Sequence, residues 1–207
     1  MDHYILDTNL FFNMEAGLDL GRDTETVVRT ITKTAAILRK QGSRMYMPPR
    51  IMEEFLSFFE NKNQKFIQEF QQELVIQSPD IHTEIPASAF YQFVEETRGR
   101  SYRGLTIAEE EIQKGAQVFL SQSELSKKDF EIKIGPVIRH FRERYRQATR
   151  FGFLDSVADL DSIMLAKQLN AYLVSTDEGV IKWGRILGVK EMLAPVFGRM
   201  VQKILEQ

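Results

Sequence analysis

The chain has 207 residues, of which 43% are hydrophobic and 27% are charged, and its formal net charge is −2. This length suits one domain with a large insertion or two small domains, and the net charge excludes a uniformly basic, nucleic-acid-binding surface. There are no cysteines, which excludes disulfides and thiolate metal sites. No apolar run could cross a bilayer, and the N-terminus lacks the basic region and apolar core of a secretory signal. We therefore expect a cytoplasmic protein with no membrane partner.

The first part of the chain alternates strands and helices. Residues 4–6 form a short apolar run and predict a strand, and residues 24–39 carry apolar side chains near helical spacing. A second strand is predicted over residues 44–47, and a second helix begins near Arg50 after two prolines. Strands that alternate with helices predict a parallel sheet and an α/β fold.

The middle of the chain breaks this alternation. Residues 61–150 show helical periodicity and little strand signal. Long helices are predicted over residues 107–120 and 130–150, joined by a turn at about 121–128 and preceded by a basic, glycine-rich connection at 97–104. Such a pair resembles a helical hairpin inserted into an α/β host.

Alternation resumes after Phe153. A helix is predicted to begin near Ser162, a strand to cover residues 171–174, and a short helix to follow and end at Gly188. Residues 195–205 form a last helical pattern.

Two aspartates follow predicted strands. Asp7 directly follows the first strand, and Asp177 comes shortly after the strand at 171–174. Open α/β folds bind their ligands outside the carboxyl ends of strands, where these side chains are expected to meet. Neighbouring carboxylates repel one another unless a cation relieves the repulsion, although either aspartate could instead cap a turn.

Three more aspartates, Asp155, Asp159 and Asp161, stand within seven positions of one another. One of them could cap the helix expected near Ser162, but a cap needs only one aspartate. Asp161 directly precedes the apolar segment and is both the best cap and a good ligand. Spacing alone does not choose between Asp159 and Asp161.

The acids point to a metal site for phosphate chemistry. Hard oxygen ligands select Mg²⁺ or Mn²⁺ over softer metals, and such ions usually act on phosphate esters by orienting a water and polarising the phosphoryl oxygen. Glu53 and Glu54 are further acids, of which only one can face the cleft, and Glu54 is favoured. The sequence has no glycine-rich loop of the nucleoside-triphosphate type. The candidate ligands are Asp7, Asp155, Asp159, Asp161, Asp177 and Glu54, with the five aspartates as catalytic candidates.

Basic residues concentrate in the predicted hairpin. A charged outer face is normally only solvated, but the excess of one sign and the preference for arginine favour contact with phosphates. A long polyanion that touches this surface and the metal site is the simplest explanation. The residues predicted to contact it are Arg98, Arg100, Arg103, Lys127, Lys128, Arg139, Arg142, Arg146 and Arg150.

The acid pattern resembles that of the PIN-domain nucleases, and four stretches are similar to one family within them. This is the HARP family of protein-only bacterial and archaeal ribonuclease P, the homologues of the Aquifex ribonuclease P. The stretches are Ile5–Asn13, Tyr46–Pro49, Leu154–Ser156 with the following Asp159 and Asp161, and Val174–Val180 with Trp183. The total length and the helical insertion are also similar.

The resemblance implies a PIN-like domain at residues 1–86 and 151–207 and an inserted helical spike at 87–150 that contacts the tRNA elbow. It implies a Mg²⁺-dependent endonuclease that removes the 5′ leader of precursor tRNA, and homo-oligomers built from dimers. The family's ligands correspond to Asp7, Asp155 and Asp177, with Asp159 or Asp161 as the fourth. The alternatives are another PIN endoribonuclease, either a toxin or an RNA-processing enzyme, and a non-catalytic RNA-binding PIN protein.

Overall fold

The structure is a computed structural model, and it describes residues 2–13, 18–120 and 125–206. The chain divides into two compact units. The sheet unit comprises Met1–Ile85 and Leu154–Gln207, and the hairpin unit comprises Pro86–Phe153. In the described part of the chain, no helix combines the length and the apolar character needed to cross a membrane.

The described residues contain five strands and nine helices. The strands are β1 (His3–Leu6), β2 (Arg44–Met47), β3 (Val75–Ile76), β4 (Tyr172–Ser175) and β5 (Lys190–Leu193). The helices are α1 (Asn9–Phe12), α2 (Thr24–Lys40), α3 (Pro49–Ser57), α4 (Lys65–Glu73), α5 (Ala87–Phe119), α6 (Lys127–Thr149), α7 (Val157–Gln168), α8 (Glu178–Ile186) and α9 (Ala194–Leu205).

The five strands form one parallel sheet in the order β3-β2-β1-β4-β5. The α/β fold class predicted from the sequence is therefore confirmed. Strand β1 lies at the centre, with Ile5 opposite Tyr46 of β2 and Leu173 of β4. The outer strands β3 and β5 were not predicted, because β3 has only two residues and β5 begins with Lys190 and Glu191 rather than an apolar run.

The hydrophobic core of the sheet unit surrounds β1. Ile5 and Leu6 are fully buried, as expected for the central strand of a parallel sheet. The ring of Phe11 packs edge-on against Phe55 and Phe70, with centroids 5.1 and 5.2 Å away. This core fixes the ends of the strands from which the candidate acids project.

Helix α7 begins at Val157, five residues before the predicted start, so the prediction of a helix beginning near Ser162 was wrong. Ser156 caps the helix, and its hydroxyl accepts a hydrogen bond from the backbone N–H of Ala158 at 3.1 Å. The acidic stretch at residues 155–161 was expected to precede the helix. Acidic side chains are, however, also stabilised within the first turn of a helix by the helix dipole. Asp159 therefore lies in the first turn of α7.

The hairpin unit consists mainly of α5 and α6. Helix α5 continues through residues 97–104, so the glycine-rich connection predicted there was wrong. Gly104 is buried, and a Cβ atom at this position would lie 2.8 Å from the Tyr145 ring of α6. The glycine therefore allows close packing of two helices rather than a turn. Within the turn predicted at 121–128, residues 121–124 lie outside the described residues.

Candidate active site

Asp7 stands at the carboxyl end of the central strand. Its backbone N–H donates to the carbonyl of Val174 on β4 at 3.1 Å, which continues the pairing of β1 and β4 past the last strand residue. The chain order places β1 and β4 at the point where the strand connections reverse direction, which is where open parallel sheets bind ligands. Asp7 is only 3% exposed, and its carboxylate accepts a hydrogen bond from the hydroxyl of Ser175.

Asp177 is joined to Asp7 through the same serine. The backbone N–H of Asp177 donates to the Ser175 hydroxyl at 3.0 Å. The carboxylate of Asp177 caps α8, where it accepts hydrogen bonds from the N–H groups of Gly179 and Val180 at 2.7 and 3.0 Å. Ser175 thus ties the Asp7 side chain to the start of the loop that carries Asp177.

The charges of the candidate acids influence one another. The pKa of Asp7 is raised to about 6, mainly by burial and also by the charges of Asp177 and Glu54, while the hydrogen bond from Ser175 lowers it. Burial also raises the pKa of Asp159 to about 7, together with the charges of Asp7, Asp177, Glu54 and Asp155. Carboxylates after β1 and β4, on α3 and around the start of α7 therefore lie within electrostatic reach of one another.

Asp155 and Asp159 occupy different positions relative to the cap of α7. Asp155 precedes the capping Ser156, whereas Asp159 is inside the helix and half-buried. Asp155 and Asp159 therefore do not share a helical face, although the charge of Asp155 still raises the pKa of Asp159.

Glu54 is the acid that α3 contributes. It is exposed, and its charge raises the pKa of both Asp7 and Asp159. The hydroxyl of the buried Thr8 donates to the carbonyl of Ile51 at 3.3 Å, which holds α3 beside the end of β1. Sequence reasoning missed this role of Thr8, for which its place directly after Asp7 was the only available signal.

Asp161 has a cationic partner. Its carboxylate forms an ion pair with the guanidinium of Arg50 at 2.6 Å. The two residues are 111 positions apart in the chain, so no local pattern could have predicted the contact. The structure therefore distinguishes Asp161, which is neutralised by Arg50, from Asp159, which is destabilised by neighbouring carboxylates.

The acids fit a hard divalent cation in their chemistry. Among the residues that the structure describes, no three His, Asp or Glu side chains are gathered closely enough to form a metal-binding group. The donors are nevertheless all carboxylate oxygens, and the pKa values of Asp7 and Asp159 are raised first by burial and then by neighbouring carboxylates, both of which a bound cation would offset. PIN-domain nucleases generally use divalent metals, in agreement with this donor set.

The predicted polyanion contacts lie on both helices of the hairpin unit. Most are exposed, namely Arg98, Arg103, Lys127, Lys128, Arg139, Arg142, Arg146 and Arg150. Arg146 also approaches Glu143 at 3.8 Å.

Arg100 differs from the others in this set. It is half-buried, donates to the carbonyl of Phe151 at 2.9 Å, and lies over the ring of Phe153. Its contacts join α5 to the segment that follows α6.

Comparison with known proteins agrees with this geometry. A family described as PINc domain ribonuclease matches residues 3–206. A protein of Hyperthermus butylicus named RNA-free ribonuclease P is 36% identical over 98% of this chain and 88% of its own length. Proteins of the same name from Alkalilimnicola ehrlichii and Pyrococcus abyssi are 33% and 29% identical, over 99% and 100% of this chain and 98% and 95% of their own lengths. The chain therefore belongs to the PINc-domain ribonucleases and, within them, to the family of RNA-free ribonuclease P.

Proposed function

We propose that this protein is an RNA-free ribonuclease P that cleaves precursor tRNA at the mature 5′ end, releasing the leader and leaving a 5′ phosphate. The observation that carries the proposal is the mutual electrostatic influence of Asp7 and Asp177, which follow β1 and β4, and of Asp159 and Glu54 on the neighbouring helices α7 and α3. The near full-length similarity to proteins named RNA-free ribonuclease P supports the choice of substrate.

The carboxylates that we assign to the metal are Asp7, Asp155, Asp159 and Asp177, with Glu54 at the edge of the site. Mg²⁺ is the proposed ion, with Mn²⁺ as a substitute, and it would supply Lewis acidity and an activated water. Ser175 would keep the Asp7 carboxylate oriented, since its hydroxyl already donates to it. Asp161 is left out of the ligand set, because its pairing with Arg50 supports a structural role.

The hairpin unit would bind the tRNA through its arginines. Proteins recognise duplex RNA mainly by shape and through its phosphates and 2′-hydroxyls, and arginine suits bidentate phosphate contact. Arg98, Arg103, Arg139, Arg142 and Arg146 are exposed and are the contacts that we assign to the phosphates. Arg100 is omitted, because its guanidinium already bonds to the backbone of the hairpin unit.

The decisive experiment is incubation with a 5′-extended precursor tRNA, with Mg²⁺ and then with EDTA, followed by mapping of the cut to the nucleotide. Cleavage at the mature 5′ end that requires the metal supports the proposal. Metal-dependent cleavage elsewhere would instead indicate a different PIN endoribonuclease, and binding without cleavage would indicate a non-catalytic RNA-binding protein.

Two matched pairs of variants test the assignment of the acids. Glu54→Gln should slow cleavage, whereas Glu53→Gln, which alters the adjacent exposed acid, is the control. Asp159→Asn should reduce cleavage far more than Asp161→Asn, whose main effect should be on thermal stability through loss of the pair with Arg50. Equal loss of activity in Asp159→Asn and Asp161→Asn would overturn the choice of Asp159.

We also propose that copies of the chain associate. The hairpin unit leaves large apolar side chains exposed on both helices, including Ile112 at 71%, Phe130 at 46% and Ile138 at 41%. Apolar surface of this kind is typical of interfaces. Ile112→Glu should dissociate the assembly in light-scattering measurements, and an unchanged mass would argue against this interface.

A further inference from the structure

A pair of stacked aromatic rings lies beside the candidate acids in the sheet unit. Phe12 of α1 and Phe58, which ends α3, are stacked with centroids 4.1 Å apart and an angle of 26° between their planes. Phe58 is 57% exposed. Since Phe12 covers one face of the Phe58 ring, the opposite face is open to solvent.

The pair packs against the hydrophobic core of the sheet unit. Phe12 also contacts Phe55 and Phe59, with centroids 5.9 Å away in both cases, and Phe55 is fully buried. The contact between Thr8 and Ile51 fixes α1 against α3 at the other end of the two helices. The Phe58 ring therefore has a fixed position on the core, which a freely rotating surface side chain would lack.

Chain geometry places the pair next to the acids. Phe58 follows Glu54 by four positions, so both project from the same side of α3, displaced by about 6 Å along the helix axis. Phe12 stands at the end of α1, which begins two residues after Asp7. The rings thus extend the acid site in one direction along α1 and α3.

We propose that Phe58, supported by Phe12, is a stacking platform for an unpaired nucleobase of the 5′ leader, close to the phosphodiester that is cut. The inference rests on the proposed function. On the mature side of the cut the bases are paired within a helix, so their faces are already stacked. The bases of an unpaired leader have free faces, and aromatic side chains bind single-stranded bases in this way.

The chemistry of the platform agrees with this substrate. A phenyl ring presents no hydrogen-bonding group, so it binds any base by its π-face and discriminates little between sequences. An enzyme that removes many different leaders needs such tolerance. Phe58 is thus a positioning residue that places the leader while the carboxylates act on the phosphate.

The test uses the full chain and two precursor substrates, one unmodified and one with an abasic nucleotide at the leader position next to the cut. Phe58→Ala should lower kcat/KM on the unmodified substrate by about fivefold to a hundredfold, the range expected from loss of one stacked base. On the abasic substrate the variant and the wild type should differ by less than about twofold, because the stacking partner is already absent.

Several variants keep the test informative if Phe58→Ala folds poorly. Phe58→Tyr and Phe58→Trp should retain activity, whereas Phe58→Leu, which keeps the apolar packing but not the ring, should lose it. Ile81→Ala, at a side chain of the same unit that is 87% exposed, is the control for a generic surface change. Melting temperatures of all variants establish that each is folded.

The outcomes separate the platform from the function on which it depends. An equal effect of Phe58→Ala on both substrates, or full activity of Phe58→Leu, overturns the platform. A different result is that the effect of Phe58→Ala disappears when the 3′ single-stranded tail is removed and persists when the leader base is removed. That result also overturns the platform and assigns the rings to the 3′ end. If the wild type does not cleave the precursor, the proposed function fails and the platform falls with it.

Discussion

The sheet unit and the hairpin unit are stabilised in different ways. In the sheet unit, the largest fully buried side chains include Trp183, Phe11 and Phe55 around a parallel sheet. Among the described residues of the hairpin, α5 buries only Ala89, Gly104, Glu111 and Gly115, and α6 buries none. The hairpin therefore relies on the contact between its two helices and on polar pairing.

Glu111 is the clearest sign of this difference. It is only 4% exposed, and it accepts hydrogen bonds from Lys114 at 2.7 Å and Arg144 at 2.6 Å. The bond from Lys114, and then that from Arg144, hold the pKa of Glu111 below its ordinary value.

The contrast teaches where rigidity is needed. Carboxylates that repel one another stay together only on a scaffold whose packing energy exceeds their repulsion, which the core of the sheet unit supplies. Contact with a phosphate backbone needs charges in roughly the right places, which two helices can provide. Variants in one unit should therefore change cleavage, and variants in the other should change binding.

The largest expected effect is on cleavage. Asp7→Asn removes a proposed metal ligand, and because a catalytic metal contributes several kcal/mol to the transition state, kcat should fall by at least about 10³-fold. Binding of precursor tRNA, measured by filter retention, should change by less than about threefold, since the hairpin is untouched. Parallel loss of binding and of secondary structure would mean that the two units are not separable in this way.

The second effect is on the pH dependence of stability. The pKa of Asp7 is raised to about 6 in the folded protein, so the folded state binds the proton more tightly than the unfolded state. In EDTA, the stability that Asp7 contributes should therefore be present at low pH and be lost as the pH rises from about 4 through about 6, and the contribution of Asp159 should be lost through about 7. Between about pH 4 and pH 8, the free energy of unfolding should fall by roughly 2–3 kcal/mol less in Asp7→Asn than in the wild type.

Urea unfolding of the wild type and Asp7→Asn at both pH values measures this difference. Added Mg²⁺ should stabilise the wild type at the higher pH and have little effect on the variant. Identical pH profiles for the two proteins would contradict the raised pKa.

The third effect is on binding to the hairpin. Arg142→Ala combined with Arg146→Ala should weaken precursor-tRNA binding about tenfold and reduce the salt slope by between about 1 and 2, as expected for two lost phosphate contacts. Arg29→Ala is the matched control, because Arg29 is an exposed arginine of the sheet unit that pairs with Glu25. An unchanged salt slope in the double variant would remove the hairpin from the proposed RNA interface.

The smallest expected effect is on stability and concerns two glycines of α5. A Cβ atom at Gly99 would meet only the end of the Arg103 side chain at 3.7 Å, so Gly99→Ala should stabilise the helix by about 0.5–1 kcal/mol. At Gly104 it would lie 2.8 Å from the Tyr145 ring, so Gly104→Ala should instead destabilise by about 1 kcal/mol. Thermal unfolding measures both, and equal shifts would mean that the helices are not closely packed there.

Sequence reasoning worked best where local order determines position. The strand that ends at Leu6 places Asp7, and the apolar run before Ser175 places the loop that carries Asp177, because parallel strands align their carboxyl ends. It failed where distant residues decide. The pairing of Arg50 with Asp161 leaves no local pattern, and the close approach at Gly104 is to Tyr145, which stands 41 positions later in the chain.

Ser175 has a wider consequence for how this site can change. Its hydroxyl donates to the Asp7 carboxylate and accepts from the Asp177 backbone N–H, so these two bonds fix the orientation of the hydroxyl. Replacing it with alanine would loosen two acids at once, whereas moving either acid alone would leave the serine with an unmet bond. Ser175 thus couples the end of β1 to the loop after β4, so any redesign of the proposed metal site has to change Asp7, Ser175 and Asp177 together.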